Sequence, residues 1–316
     1  MTGISENSAT TQDATQAAAR LDWRGLVRVG GPDAHGFLQN LLTCDLDKVD
    51  ATTGGYGALL TPQGKILFDF LIVGHGDGYL IEANREQIAD LAKRLGFYRL
   101  RAKVEIEDVS GERGVLAAWG EKPEAADAIV MADPRFAGFG WRVYAPAAGS
   151  TGGPVGGPAG GLDGFSDAPA SAYHARRVAL GLPEAPFDFT PGDSFPHDAD
   201  MDDLNGVAFD KGCFVGQEVV SRMQHRGTAR RRIVKASAET ALPETGTEIL
   251  ADGKPAGTLG SVAGTQGLAL VRLDRIAGAL ARGADVTADG ILLTFALPEF
   301  ARFTWPQQTG GGEDDA

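Results

Sequence analysis

Residues 210–227 read DKGCFVGQEVVSRMQHRG, a stretch that sets one of the chain's two cysteines between two glycines. Gly212 and Gly216 permit a tight turn and a close approach of backbone to a neighbouring segment. Val219, Val220 and Met223 follow at helical spacing, so the stretch reads as a turn and then a short helix starting near Gly216. Cys213 lies just ahead of that helix. Its positive end and the nearby Lys211 would both stabilise a thiolate and raise the reactivity of the sulfur. The competing reading is a small structural residue buried in the turn, the commoner fate of a lone cysteine. His225 and the run Arg222, Arg226, Arg230, Arg231 and Arg232 are either a solvated cationic face or a grip for the acidic tail of a ligand.

Upstream, Phe37, Leu38, Leu41 and Leu42 fall on one face of a short helix behind Pro32 and Asp33. YGALL (56–60) and ILFDFLIV (66–73) read as strands joined through TPQGK, and YLIEA (79–83) as a third. REQIADLAKRLGF has helical spacing, RLRAKVEIEDV (99–109) alternates as a strand, and GVLAAW and GWRVYAP read as strands around a helical EAADAI. The pattern is α+β with antiparallel pairing. Residues 1–20 are expected to be a disordered tail, 21–112 a first α+β segment and 113–165 a second unit. Within the latter, 146–161 is a Gly/Pro/Ala-rich exposed loop. A return segment, 166–230, carries the cysteine motif. Short strands over 231–306 form a small β-module, and 307–316 is an acidic tail.

The chain has 316 residues, two or three units' worth, and a formal net charge of -13. That balance disfavours nucleic acid or an anionic membrane as the principal partner. Two cysteines fit a reducing compartment, read here as the cytoplasm, and the N-terminus resembles neither a secretory signal nor a typical transit peptide. The spacing of histidines and cysteines supports no metal site, and no phosphate-binding glycine loop is present.

Asp69 sits in an otherwise apolar strand, which is costly unless the charge finds a partner or the carboxyl stays protonated. It is either a sheet-edge residue reaching water or a buried group able to bind a guanidine-like ligand edge or handle a proton. DSFPHDADMDD (193–203) supplies a second set of carboxylates, most of them expected to be solvated.

KGCFVGQE (211–218) closely resembles the K-G-C-[FY]-x-G-Q-E signature of the YgfZ family of folate-binding proteins of iron–sulfur cluster assembly or repair. FLQNLLTCDL, TPQGKILFDF and FPHDADMDDLNGVAFDKGC are similar to other parts of that family, so the resemblance spans about residues 21–305. It implies the three-domain fold of the glycine-cleavage aminomethyltransferase (T-protein), around a central folate channel and with a C-terminal β-barrel. It also implies tetrahydrofolate as cofactor and iron–sulfur client or assembly proteins as partners. By the same resemblance Asp69 matches the carboxylate beside the reactive folate nitrogens. Asp198 stands where relatives have a pterin-binding Glu, and Asp200 where they often have Asn. The expected site is therefore Cys213, Lys211 and Asp69 for chemistry, with Asp69, Asp198, Gln217, Glu218 and Arg222 toward the folate.

Two functions follow. The first is a tetrahydrofolate-binding accessory factor for iron–sulfur enzymes, with Cys213 a thiolate near the channel mouth. The alternative is a folate-dependent one-carbon transferase or demethylase of T-protein type, which leaves the cysteine signature without a use. A cysteine hydrolase pairing Cys213 with His225 is disfavoured, since the two would lie roughly 15 Å apart along the helix.

Overall fold

The computed structural model describes residues 16–125, 127–147, 162–227 and 229–306, arranged as three sheets with helices between and outside them. The first sheet is wholly antiparallel, in the order Gly55–Leu60, Ile66–His75, Gly78–Asn84, Arg24–Gly30, Glu105–Asp108. Its central strands are apolar on both faces because both faces are covered. Val27, Val29, Phe70, Ile72 and Ile81 pack under the helices Ala34–Gln39 and Ile88–Arg99, through Phe37, Leu38, Leu91 and Leu95. Leu26, Leu71, Val73 and Leu80, on the opposite face, share a core with Val115, Ala117 and Tyr144 of the second sheet. Side chains alternate along a strand, so Asp69 shares the inner face with Leu71 and Val73 and is turned into the seam between the sheets.

The second sheet runs Ser166–Ala168, Ala17–Arg20, Arg113–Trp119, Trp141–Pro146, Ile129–Ala132. Residues 17–20 are thus a strand and not the end of a tail: they pair parallel with 166–168 and antiparallel with 116–119. The sequence AAAR carries no strand propensity, and its three alanines are buried between the neighbouring strands. EAADAI forms no helix among its described residues, and its last residue opens the strand Ile129–Ala132. The helix Ile88–Arg99 takes the first residue of the expected 99–109 strand, which shortens to Glu105–Asp108. Most of the Gly/Pro-rich segment, 148–161, and the tails 1–15 and 307–316 lie outside the described residues.

The third sheet has seven strands, in the order Ile291–Leu292, Val286–Ala288, Glu248–Ala251, Lys254–Ala263, Gln266–Arg272, Arg231–Ser237, Thr294–Ala296. Its two outermost strands are separated in sequence by Leu293 alone, so the sheet must curl until its edges nearly meet. The result is a small barrel filled by Val234, Ile249, Leu259, Val271 and Ile276. The architecture is α+β and three-part, as the sequence suggested.

Candidate functional site

The cysteine motif folds as a turn docked on the 61–65 hairpin, followed by the helix Gln217–Arg226. Gly216 caps that helix at φ 79, and a Cβ there would fall 2.5 Å from the Thr61 carbonyl oxygen. Gly64, at φ 80, faces Val219 and the Gly216 carbonyl in return. These two glycines let TPQGK and KGCFVGQE meet backbone to backbone. Phe214 is buried in the inter-sheet core, whereas Cys213, three residues before the cap, is exposed.

Lys211 has a different task from the one its place in the motif suggested. Its ammonium donates to the carbonyl oxygens of Leu42 (2.8 Å) and Cys44 (2.6 Å) and faces the ring of Phe214, so it ties the motif to the 42–46 loop. Thr43 completes the tie: its hydroxyl donates to Gly206 O and accepts from Ala58 N, and its carbonyl accepts from Ala208 N. Cys44 is buried on that loop, and burial pushes its thiol up to about 12. One cysteine is therefore closed off, and the other open.

A cleft of about 440 Å³ lies beside this loop, where all three parts of the molecule meet. Cys44 and Tyr56 line it from the first sheet, Pro134 from the second, Asn205 and Asp210 from the return segment and Arg302 from beyond the barrel. Asp210 is its rim; Cys213 follows within roughly 10 Å of chain. The Tyr56 hydroxyl is buried and has no hydrogen-bond partner among the described residues. Its phenol is raised by burial and by the charge of Asp69. A larger cavity of about 660 Å³ lies between the barrel and the end of the Gln217–Arg226 helix, but neither Asp69 nor Cys213 lines either space.

Asp69 is 6 % exposed. Burial pushes its carboxyl up, with Glu184 adding to the effect and Arg24 and Arg135 opposing it. Among the described residues no side chain hydrogen-bonds that carboxyl, in contrast to every other carboxylate of the seam. Glu82 Oε1 accepts from Arg24 Nε at 2.7 Å, and its Oε2 accepts from Arg142 Nε at 3.1 Å and the Tyr144 hydroxyl at 3.0 Å. Glu184 accepts from Trp23 Nε1 and Tyr173 Oη, and Asp133 from Arg135 through two bonds. Burial raises the carboxyl of Glu184, but Arg24, Arg177 and Arg135 outweigh it and bring it down to about 2. This buried network joins the first sheet, the second sheet and the return segment. Glu82 was open to sequence reasoning by the signal that singled out Asp69, a carboxylate inside an apolar strand, YLIEA.

The remaining expected site residues fall elsewhere. Asp198 Oδ2 accepts from Phe195 N (2.9 Å) and Arg231 Nη2 (2.7 Å), closing a turn and fastening it to the barrel. Glu218 and Arg222 form an ion pair on the exposed face of their helix, 85 % and 55 % exposed. Gln217 is half-buried at the first helical position. The acids of 198–203 are not solvated: Asp198, Asp200, Asp202 and Asp203 are all buried, and Arg232 grips Asp202 through two bonds of 2.6 and 2.8 Å.

Asp200 is fully buried, in the left-handed region at φ 53, with neither carboxyl oxygen hydrogen-bonded to a side chain among the described residues and Arg232 3.5 Å away. Burial holds its pKa well above the ordinary carboxylate range despite Arg232. The native state thus binds a proton that the unfolded chain releases above about pH 3.9. The stability this group contributes is complete below that pH and is lost as pH rises through the folded value. Asp200→Asn should accordingly raise the Tm at pH 8 and leave it nearly unchanged at pH 4. Thermal melts at the two pH values check this.

Residues 12–136 match the family described as the GCVT N-terminal domain, and residues 230–303 match the CAF17 C-terminal beta-barrel domain. The chain is 34 % identical to the mitochondrial iron–sulfur cluster assembly factor IBA57 of Homo sapiens, over 94 % of this chain and 87 % of that protein. Its likeness to the mouse (Mus musculus) factor of the same name is 33 %, over 83 % and 79 % of the two chains. Among solved structures, the glycine cleavage system aminomethyltransferase T of Bartonella henselae superposes with a TM-score of 0.71 at 17 % identity, covering 91 % of this chain and 87 % of that one. The fold is that of the aminomethyltransferase. These relatives are mitochondrial by name, which does not support the cytoplasm as this chain's compartment; no described helix is long and apolar enough to cross a membrane.

Proposed function

The chain belongs to the family of the iron–sulfur cluster assembly factor IBA57, and on that premise we propose that it is a folate-binding accessory protein of iron–sulfur cluster assembly or repair whose working group is the Cys213 thiol. The observation that carries this reading is the contrast between the cysteines. Cys44 is buried, reaching only the wall of the cleft, while Cys213 stands exposed at the end of a turn that two glycines and Lys211 fix beside that cleft. A thiolate there can contact iron or sulfide, or attack a partner's disulfide, forming a mixed disulfide as the other sulfur leaves as thiolate, without any movement of the fold.

Tetrahydrofolate is the cofactor the fold suggests, and the residues present fit it. Among the described residues Tyr56 lines the cleft with an unpartnered hydroxyl, and Asp69, which does not line it, lies close enough behind for its charge to act on that phenol; the cleft is of a size for such a ligand. Tyr56 would meet the pterin at the cleft, and Asp69 would accept from its guanidine-like edge only where that edge reaches past Tyr56 into the seam. Bound tetrahydrofolate would supply one-carbon chemistry at its ring nitrogens. Asp198, engaged by Arg231 and its own turn, and the solvent-facing pair Glu218–Arg222 are left out of this pocket.

Asp69→Asn is expected to weaken binding of reduced folate by about 1–3 kcal/mol, with Glu218→Gln unchanged. Calorimetric titration of the folded proteins with tetrahydrofolate measures both. Equal affinities for the wild type and Asp69→Asn would remove Asp69 from the site.

A one-carbon transferase of the aminomethyltransferase type is the second reading, favoured by the placement of Asp69 on the inner face. It requires that Asp69→Asn abolish one-carbon turnover and Cys213→Ser leave it untouched.

A further inference from the structure

The helix Ile88–Arg99 ends on a surface that nothing above employs. Lys93, Arg94, Arg99, Arg101 and Lys103 are all exposed, with no acid among residues 93–103. None of these five cations forms a salt bridge with a described residue, although the chain holds 42 acids. Phe97 and Leu100 project among them, 65 % and 90 % exposed. Leu100 also holds φ 44, a conformation that favours glycine, and helices commonly use glycine where this one ends on leucine.

Cations near a helix C-terminus are favourable by themselves, through the helix dipole. That account covers Arg99 and Arg101 and leaves the two apolar side chains unexplained. An aromatic and an aliphatic anchor ringed by unpaired arginines and lysines is the composition of a protein-binding surface. With these cations set aside the chain is more acidic still, so an extended polyanion such as a nucleic acid or an anionic bilayer would meet net repulsion from the rest of the molecule. A short acidic segment of another protein would touch the patch alone.

We propose that residues 93–103 form a docking surface for an acidic protein segment that carries large apolar side chains, with Phe97 and Leu100 as anchors and the five cations as its rim. This surface stands independently of the cysteine and folate reading. A fluorescein-labelled synthetic peptide of alternating Glu and Leu with one Trp serves as the probe, titrated against the full chain by anisotropy at low and at raised salt. The wild type should bind it, more weakly as salt rises. The double variants R94E/R101E and F97S/L100G should each bind at least about tenfold more weakly. K254E, an exposed cation on the barrel, should bind as wild type. F97S/L100G should melt no lower than wild type, since neither side chain is buried and glycine suits the backbone at residue 100. Wild-type affinity in both double variants would overturn the proposal. So would tighter binding of phosphatidylglycerol vesicles or duplex DNA than of the peptide, or patch-dependent self-association in sedimentation.

Discussion

Glu82→Leu should destabilise the protein by about 3–5 kcal/mol, the largest loss expected of any single substitution outside the apolar core. Glu82 is wholly buried and neutralises two arginines that are themselves 5 % and 1 % exposed, Arg24 and Arg142. Leucine would take from Arg24 and Arg142 their hydrogen-bonded carboxylate and from the Tyr144 hydroxyl its acceptor, leaving Glu184 and Asp133, 3.9 and 3.8 Å away, as the next carboxylates for the two guanidinium groups. Because Arg24 comes from the first sheet and Arg142 and Tyr144 from the second, the loss should fall on the docking of the two. Urea unfolding followed by tryptophan fluorescence checks it. A midpoint unchanged from wild type would mean that the two sheets are held by their apolar contacts alone. Glu82→Gln, which keeps an acceptor on one side only, turns an NH2 donor toward the other and removes the charge, should fall between the two.

The second large effect is chemical. Cys44, with its thiol pushed up to about 12, has a thiolate fraction of about 10⁻⁴ at pH 8, and it is 4 % exposed as well. Cys213 is exposed. Iodoacetamide at pH 8 should therefore modify Cys213 at least about 100-fold faster than Cys44, so that peptide mass spectrometry of the native protein finds a single carbamidomethyl group, at residue 213. Both cysteines should react once the chain is unfolded in urea. Comparable native rates would show that the 42–46 loop opens readily, and that the tie from Lys211 to the carbonyls of Leu42 and Cys44 does not hold it.

How much of this could be read in the sequence depends on how far apart the interacting residues lie. Asp69 stands out as one polar residue in an apolar strand, but that pattern leaves open whether it meets water or is buried, which the covering second sheet decides. The turn and helix at 210–227 and the hairpin at TPQGK were legible, because each rests on local spacing. The burial of the 198–203 acids was not. Their partners are distant: Arg232 meets Asp202 across 30 positions and Arg302 N meets Asp203 across 99. Local composition shows only an acidic run, which is solvated by default. Lys211 was assigned to Cys213 for the same reason, since its true acceptors lie 169 and 167 positions upstream. The strand at 17–20 was missed because alanine has no preference for strands, and only pairing with 113–119 and 166–168 places it there. The compartment is a different matter. Two free cysteines indicate a reducing environment, which does not separate cytoplasm from the mitochondria named for the relatives.

The central claim is that Cys213 works as a thiol in iron–sulfur assembly, and the direct measurement is iron–sulfur enzyme activity in cells lacking this chain, after expression of wild type, Cys213→Ser or Cys44→Ala at matched protein levels. Serine is nearly isosteric with cysteine and Cys213 is exposed, so folding and folate affinity should survive that change while the thiolate is lost. The account predicts restored activity with wild type and Cys44→Ala, and activity no higher than in the deleted cells with Cys213→Ser. Full restoration by Cys213→Ser would contradict it.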